Sequence, residues 1–256
     1  LVRQGIGDLT VIGHVNGLEV DLLAAAGLLR SVETSYVGLE RFGRAPNFSA
    51  AWESGAVDFV TFSEQVGFDR FRASQAGLSF WPVIGIAGSD LVDGNPQIVA
   101  AQCPITGRPY YAVTPAAPDV VVIHAGRGDC HGNIALPAER QLSHSLDVIL
   151  AQACDTVIVT VEEIVSPEVL RARPDLVEIP AFQVTAVVEA PQGAHPTSVL
   201  GYYPADDPGI QEYLDATSSG ATAREVCGST EDDYRKQRHS ASWRSQAATG
   251  RTQGDA

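Results

Sequence analysis

Val57-Asp58-Phe59-Val60-Thr61-Phe62 is a short segment, largely apolar on both faces, and Ser63-Glu64-Gln65 follows it directly. Such a segment predicts a strand covered by helices on each side, as in a parallel sheet. Beyond it, Val66, Phe68, Phe71 and Ala76 recur at helical spacing up to Gly77, a stop signal. Upstream the same alternation repeats. Leu1–Gly5 reads as the tail of a helix and Asp8–Gly13 as a strand. Glu19–Arg30 reads as a helix led in by Asn16-Gly17, Ser31–Val37 as a strand, and Phe48–Glu53 as a short helix stopped by Gly55. This βαβα rhythm predicts an α/β fold, with a mostly parallel open sheet flanked by helices.

Between Trp81 and Pro118 six prolines break any long element. Regularity returns at Asp119–His124, read as a central buried strand. Ala138–Ala153 reads as an amphipathic helix, and Thr156–Val161 and Phe182–Val188 as two further strands. Residues 244–256 have no apolar side chain but alanine, the composition of a flexible tail. With no internal repeat and no clean linker, one domain over residues 1–243 is expected.

The chain has 256 residues, 17 basic against 31 acidic, and a net charge of −14. Such a polyanion repels phosphate backbones, which argues against a nucleic-acid partner. No apolar run approaches the roughly 20 residues of a membrane span, and no signal peptide opens the chain. The four cysteines are widely spaced with no C-x-x-C pair. That pattern argues against a zinc ribbon or a disulfide framework and predicts a reducing, cytoplasmic setting. Met is absent, so a fragment or processed product is expected.

Three segments can carry chemistry. His124-Ala125-Gly126-Arg127-Gly128-Asp129-Cys130-His131-Gly132-Asn133 follows a buried strand. It is expected as a loop at the carboxyl edge of the sheet, where open α/β sheets bind ligands. His124, Arg127, Asp129, His131 and Asn133 then bind an anion, or Arg127 and Asp129 pair to brace a turn. Zinc-ligand spacing is lacking, so no metal is expected. Ser63-Glu64-Gln65 has two readings as well. Glu64 is a nucleophile or base at the sheet edge, or it is a first-turn acid behind a Ser63 cap. In the third segment, Gly85–Asp90, the backbone around Gly88 and Ser89 can hold an oxyanion. Nucleotide-loop spacing is missing there. Ala190-Pro191-Gln192-Gly193-Ala194-His195-Pro196 reads as a rigid turn holding His195.

Together these motifs resemble the α subunit of family I coenzyme A transferases, of the glutaconate CoA-transferase type, from Leu1 to about Tyr234. The resemblance rests on Leu1–Thr10, the His124–Asn133 run, Thr160-Val161-Glu162-Glu163-Ile164-Val165 and Glu189–Pro196. It implies a further βα unit with a glycine-rich turn ahead of Leu1. In glutaconate-type enzymes the catalytic glutamate belongs to the β subunit. The related α subunits that open steroid rings as CoA thioesters carry one in this strand-to-helix turn, and Glu64 matches it.

The resemblance implies a heteromer, αβ or α2β2, in which the partner is a homologous β subunit. The substrate it implies is an acyl-CoA, with no permanently bound cofactor. The expected reaction is CoA transfer to a carboxylic acid through a glutamyl-CoA thioester. Hydrolytic ring opening of a cyclic β-oxo acyl-CoA is the enzymatic rival, and a non-catalytic metabolite sensor is the other. Glu64 is expected to face a cleft closed by the β subunit, with Ser63 and Gln65 orienting it.

Overall fold

The computed structural model describes residues 1–139 and 142–238, which form two compact units. The first comprises Leu1–Ala116 with Ile210–Arg238, and the second Ala117–Gly209. The tail expected over 244–256 lies outside the described residues.

In the first unit, strands β1 (Leu9–Ile12), β2 (Leu29–Thr34) and β3 (Asp58–Thr61) form a parallel sheet in the order β1-β2-β3. Helices α1 (Leu18–Ala25), α2 (Pro46–Glu53) and α3 (Glu64–Gln75) alternate with them. Val20, Leu23, Val32, Phe48 and Val57 form the buried cluster between these elements. Each such side chain contributes about 1.5–3 kcal/mol when fully buried. Before β1, a single 3₁₀ turn at Val2–Gln4 is closed by Gly5 at φ 66°.

The helix expected over Glu19–Arg30 is shorter. Gly27 adopts φ +66°, its N–H bonds the Ala24 carbonyl, and the Leu28 N–H bonds the Leu23 carbonyl. That pair of bonds is a Schellman stop, and Leu29 can begin β2.

The loosely ordered stretch after Trp81 is in fact a second sheet. Strands β4 (Trp81–Val83), β5 (Ile98–Gln102) and β6 (Pro109–Val113) pair antiparallel in the order β4-β6-β5. The prolines are tolerated because Pro82 lies in edge strand β4 and Pro109 is the first residue of β6. Val83, Ile98 and Val113 pack there with Phe62 and Val66.

The second unit holds a five-stranded mixed sheet in the order β10-β8-β7-β9-β11. Its strands are β7 (Val121–Asp129), β8 (Ile134–Ala135), β9 (Val157–Val165), β10 (Val177–Ile179) and β11 (Ala186–Glu189). β7, β9 and β11 are parallel, whereas β8 pairs antiparallel with both β7 and β10. Helices α4 (Leu142–Gln152) and α5 (Pro167–Ala172) belong to this unit. Val121, Ile123, Ile134, Val157, Val159 and Ile179 form its core.

The strand expected from Phe182 starts only at Ala186, because Ala181–Gln183 winds a 3₁₀ turn and leaves Phe182 exposed. The chain continues through α6 (Asp207–Ser218), α7 (Ala223–Cys227) and α8 (Glu231–Arg238). Among the described residues no helix is long and apolar enough to cross a membrane, and no disulfide joins any of the four cysteines.

Candidate functional site

The candidate residues lie elsewhere than expected in two respects. β3, β4 and β7 belong to three different sheets, so the segments following them do not share one sheet edge. In addition, His124, Arg127 and Asp129 lie within a strand and not in a loop. β7 continues to Asp129 because Arg127, Gly128 and Asp129 pair with Glu163, Ile164 and Val165 of β9. At Gly128 a Cβ would come within 3.0 Å of the Ile134 side chain and 3.2 Å of that of Val187, so any larger residue there requires these side chains to give by a few tenths of an ångström.

In the first unit, Ser63 caps α3, its Oγ accepting from the Val66 N–H at 3.3 Å. Glu64 is the first helical residue and its side chain is exposed. The Glu64 carbonyl accepts from His14 Nε2 at 3.1 Å, and the His14 ring sits edge-on to Phe68. Gln65 turns along the helix, donating to Asp69 Oδ2 at 2.9 Å. Just below this turn Arg70 is buried, bonded to Glu33 at 2.7 Å and to Gln97, with Phe62 under its guanidinium. Burial lowers the Arg70 pKa, while Glu33 acts to raise it. This anchor fixes α3 and thereby the direction in which Glu64 leaves the backbone.

Gly88 lies in an exposed turn at φ +78°. Ser89 spends both its N–H and its hydroxyl on the Ile86 carbonyl, at 3.2 and 3.0 Å.

The second unit contains a denser constellation. His124 Nδ1 lies 2.8 Å from Thr160 Oγ1, and Nε2 lies 2.8 Å from Glu162 Oε1. Glu162 also accepts from the Tyr203 hydroxyl and the Gln192 N–H, each at 2.8 Å. Burial acts to raise the Glu162 pKa, but the bonds from His124, Gln192 and Tyr203 together hold it below the usual carboxylate range. Ala194 N–H donates to Tyr203 Oη at 3.1 Å, so one network ties β7, β9 and the Pro191–Pro196 turn. His195 in that turn is buried and bonded to Asp206 at 3.0 Å.

Arg127 pairs across the sheet with Glu163 at 2.6 Å, not with Asp129. Asp129 instead braces the β7–β8 turn, accepting from the N–H groups of His131 and Asn133 and from the Asn133 amide. Burial opposes its ionisation, yet these bonds keep its pKa lowered. Asn133 Oδ1 accepts in turn from the Ala181 N–H at 3.1 Å, and His131 is exposed. Among the described residues no cluster of three His, Cys, Asp or Glu is placed to hold a metal ion.

The coenzyme A transferase family model matches residues 1–190. This chain belongs to that family. It is 33% identical to the A component of 3-oxoadipate CoA-transferase from Pseudomonas knackmussii, over 91% of this chain and 80% of that protein. An uncharacterized protein of Archaeoglobus fulgidus is 34% identical over 88% of this chain, which spans only 50% of that protein's length. The cholesterol ring-cleaving hydrolase IpdA subunit of Mycobacterium tuberculosis is 28% identical, over 86% of this chain and 77% of that one. The structure superposes on glutaconate coenzyme A-transferase of Acidaminococcus fermentans with a TM-score of 0.81 at 28% identity. That match covers 92% of this chain and 80% of the other.

The α/β fold implied by the resemblance is therefore present. Sequence alone marks Glu162 and Glu163 as motif residues and gives them no place in the site. Their role follows from the β7–β9 register, which sets His124 beside Thr160 and Arg127 beside Glu163. The signal available was the alternation of polar Thr160 and Glu162 with apolar neighbours near the end of an otherwise apolar strand.

Proposed function

We propose that this chain is the α subunit of a heteromeric acyl-CoA enzyme, working as αβ or α2β2 with a homologous β subunit. Its reaction is CoA transfer between an acyl-CoA and a carboxylic acid. The observation that carries this reading is the similarity, over nearly the whole chain, to the A component of a CoA-transferase, joined to the superposition on glutaconate CoA-transferase. In such a reaction a glutamate carboxylate attacks the thioester carbonyl, giving an acyl–glutamyl anhydride and CoA thiolate. The thiolate then attacks the glutamyl carbonyl, leaving a glutamyl-CoA thioester and the free acid. The incoming acid reverses both steps. In the exposed Gly88-Ser89 turn the backbone N–H of Gly88 serves the developing oxyanion, that of Ser89 being bonded to the Ile86 carbonyl. His124, Arg127, Asp129, His131 and Asn133 hold the ligand-facing end of β7 in shape.

The test uses the coexpressed αβ complex incubated with acyl-CoA and then reduced with borohydride. A reduced glutamate on either chain is the expected result. Its absence from both chains rules out the covalent route.

A second reading is hydrolytic carbon–carbon cleavage of a cyclic β-oxo acyl-CoA, with Glu64 as base. Two observations favour it: the similarity to the ring-cleaving hydrolase subunit, and the exposed carboxylate of Glu64 at the head of α3. An assay with and without a free acid acceptor separates the two, because only the transferase requires the acceptor. Under either reading Ser63 positions Glu64 only through the backbone, by capping the first turn of α3, and the Gln65 side chain is committed to Asp69. No resident cofactor takes part, and CoA enters as the thioester substrate.

A further inference from the structure

The three parallel strands of the first unit end on one side of their sheet, and the residues just past those ends meet. His14 lies just past β1, Ser35 just past β2, and Ser63-Glu64 just past β3. This carboxyl edge is where open α/β sheets bind ligands. His14 is held there at two points. Its carbonyl accepts from the Thr34 hydroxyl at 3.0 Å, from the Ser35 N–H at 3.2 Å and from the Ser35 hydroxyl. Its ring crosses to the head of α3, where Nε2 lies 3.1 Å from the Glu64 carbonyl. The same ring packs against Phe68 at 79°, with centroids 5.8 Å apart.

A carbonyl oxygen only accepts, so the bond to Glu64 requires a proton on Nε2 of His14. The helix backbone lies against the same ring. A Cβ at Gly67 would sit 3.8 Å from His14 Cδ2 and 3.6 Å from Ser35 Oγ, ordinary packing distances. Ser63 fixes the first turn of α3 from its N–H side, through Val66. His14 fixes it from the carbonyl side, at the first helical residue itself. Helix ends fray where their groups are not held. A carboxylate that must meet a reacting atom to within about 0.5 Å needs a first turn that does not.

We propose that His14 is a positioning residue for Glu64: its Nε2–H clamps the Glu64 carbonyl and so holds the exposed carboxylate in the direction in which it reacts. This role rests on the reading of Glu64 as the base in hydrolytic carbon–carbon cleavage. His14 acts through the Glu64 backbone and not on substrate. Its loss therefore lowers turnover and leaves substrate affinity nearly unchanged.

The experiment uses the coexpressed αβ complex and the CoA thioester of cyclohexanone-α-carboxylic acid, a small cyclic β-oxo thioester, and measures kcat and KM. In His14→Asn the amide is too short to reach the carbonyl. There kcat is expected to fall about tenfold or more, with KM within about twofold of wild type. In His14→Gln the longer side chain returns an N–H to the place of Nε2, and turnover is expected to recover to within about threefold of wild type. Added to Glu64→Gln, His14→Asn is expected to cause no further loss, because the carboxylate that it positions is gone. A merely structural lesion would lower both backgrounds alike. With Glu64→Gln inactive, four results overturn the proposal: normal kcat in His14→Asn, equal losses in the Asn and Gln variants, a rise in KM alone, or full additivity in the double variant. Near-normal turnover in Glu64→Gln, or no cleavage by wild type, overturns the reading of Glu64 and the proposal with it. His14→Ala replaces His14→Asn should the latter not fold.

Discussion

Glu162 accepts a 2.8 Å hydrogen bond from the ring of His124, 38 positions earlier in the chain. The parallel register sets His124 opposite Thr160, so Glu162 is its diagonal neighbour on the same sheet face. The carboxylate then gathers Tyr203 and the Gln192 N–H, and the Pro191–Pro196 turn is bound to the sheet through it. Removing Glu162 leaves three groups without their acceptor. Glu162→Ala is expected to cost about 3 kcal/mol of stability in urea unfolding at neutral pH. Because the folded-state pKa is lowered, the ionised group stabilises the fold above its ordinary range. That contribution fades as pH falls through the folded value. Wild type should lose this increment in acid and Glu162→Gln should not.

Gly193 occupies a place no side chain fits. A Cβ there would lie 2.7 Å from the Ala190 carbonyl and 2.8 Å from His124 Cε1. The carbonyl belongs to backbone and cannot swing aside, so the His124 ring must move. Gly193→Ala should destabilise by about 1–3 kcal/mol and perturb the His124 ring resonances in NMR spectra. Unchanged His124 shifts would refute this.

The cap and the chemistry at the head of α3 are separable. Ser63→Ala removes the acceptor for the Val66 N–H and should cost about 1 kcal/mol in thermal or urea unfolding. Glu64→Gln removes at most a favourable helix-dipole interaction of about 0.3–1 kcal/mol. If Glu64 is the reacting carboxylate, the same change lowers turnover about 10²-fold or more while the heteromer still assembles. Near-normal turnover in Glu64→Gln would confine this residue to the helix end and assign the chemistry to the β chain.

Asp147 should make the protein less stable as pH rises. Its folded-state pKa is raised to about 6, so the folded chain holds a proton that the unfolded chain has already released. Stability falls between the unfolded value near 4 and the folded value, then levels off. Asp147→Asn is expected to gain about 1–2 kcal/mol near pH 7.5 and nothing below about pH 4. Urea unfolding at both pH values measures the difference, and an equal gain at both would refute the burial argument.

The local elements were largely legible because their determinants are local. Short, nearly continuous apolar runs marked β1, β3, β7 and β9, Gly5 marked the first turn, and Ser63 marked the start of α3. The family resemblance was legible for the same reason, as short motifs in fixed order. Tertiary structure alone decided the rest. The proline-rich stretch became a sheet, with Pro82 in an edge strand, Pro109 opening β6 and the remaining prolines outside the strands. Register turned the expected His124–Asn133 loop into strand and turn, giving Arg127 to Glu163 and Asp129 to its own turn. Sequence supplies which side chains can bond. The distance across a sheet, fixed only when the strands pack, decides which of them do.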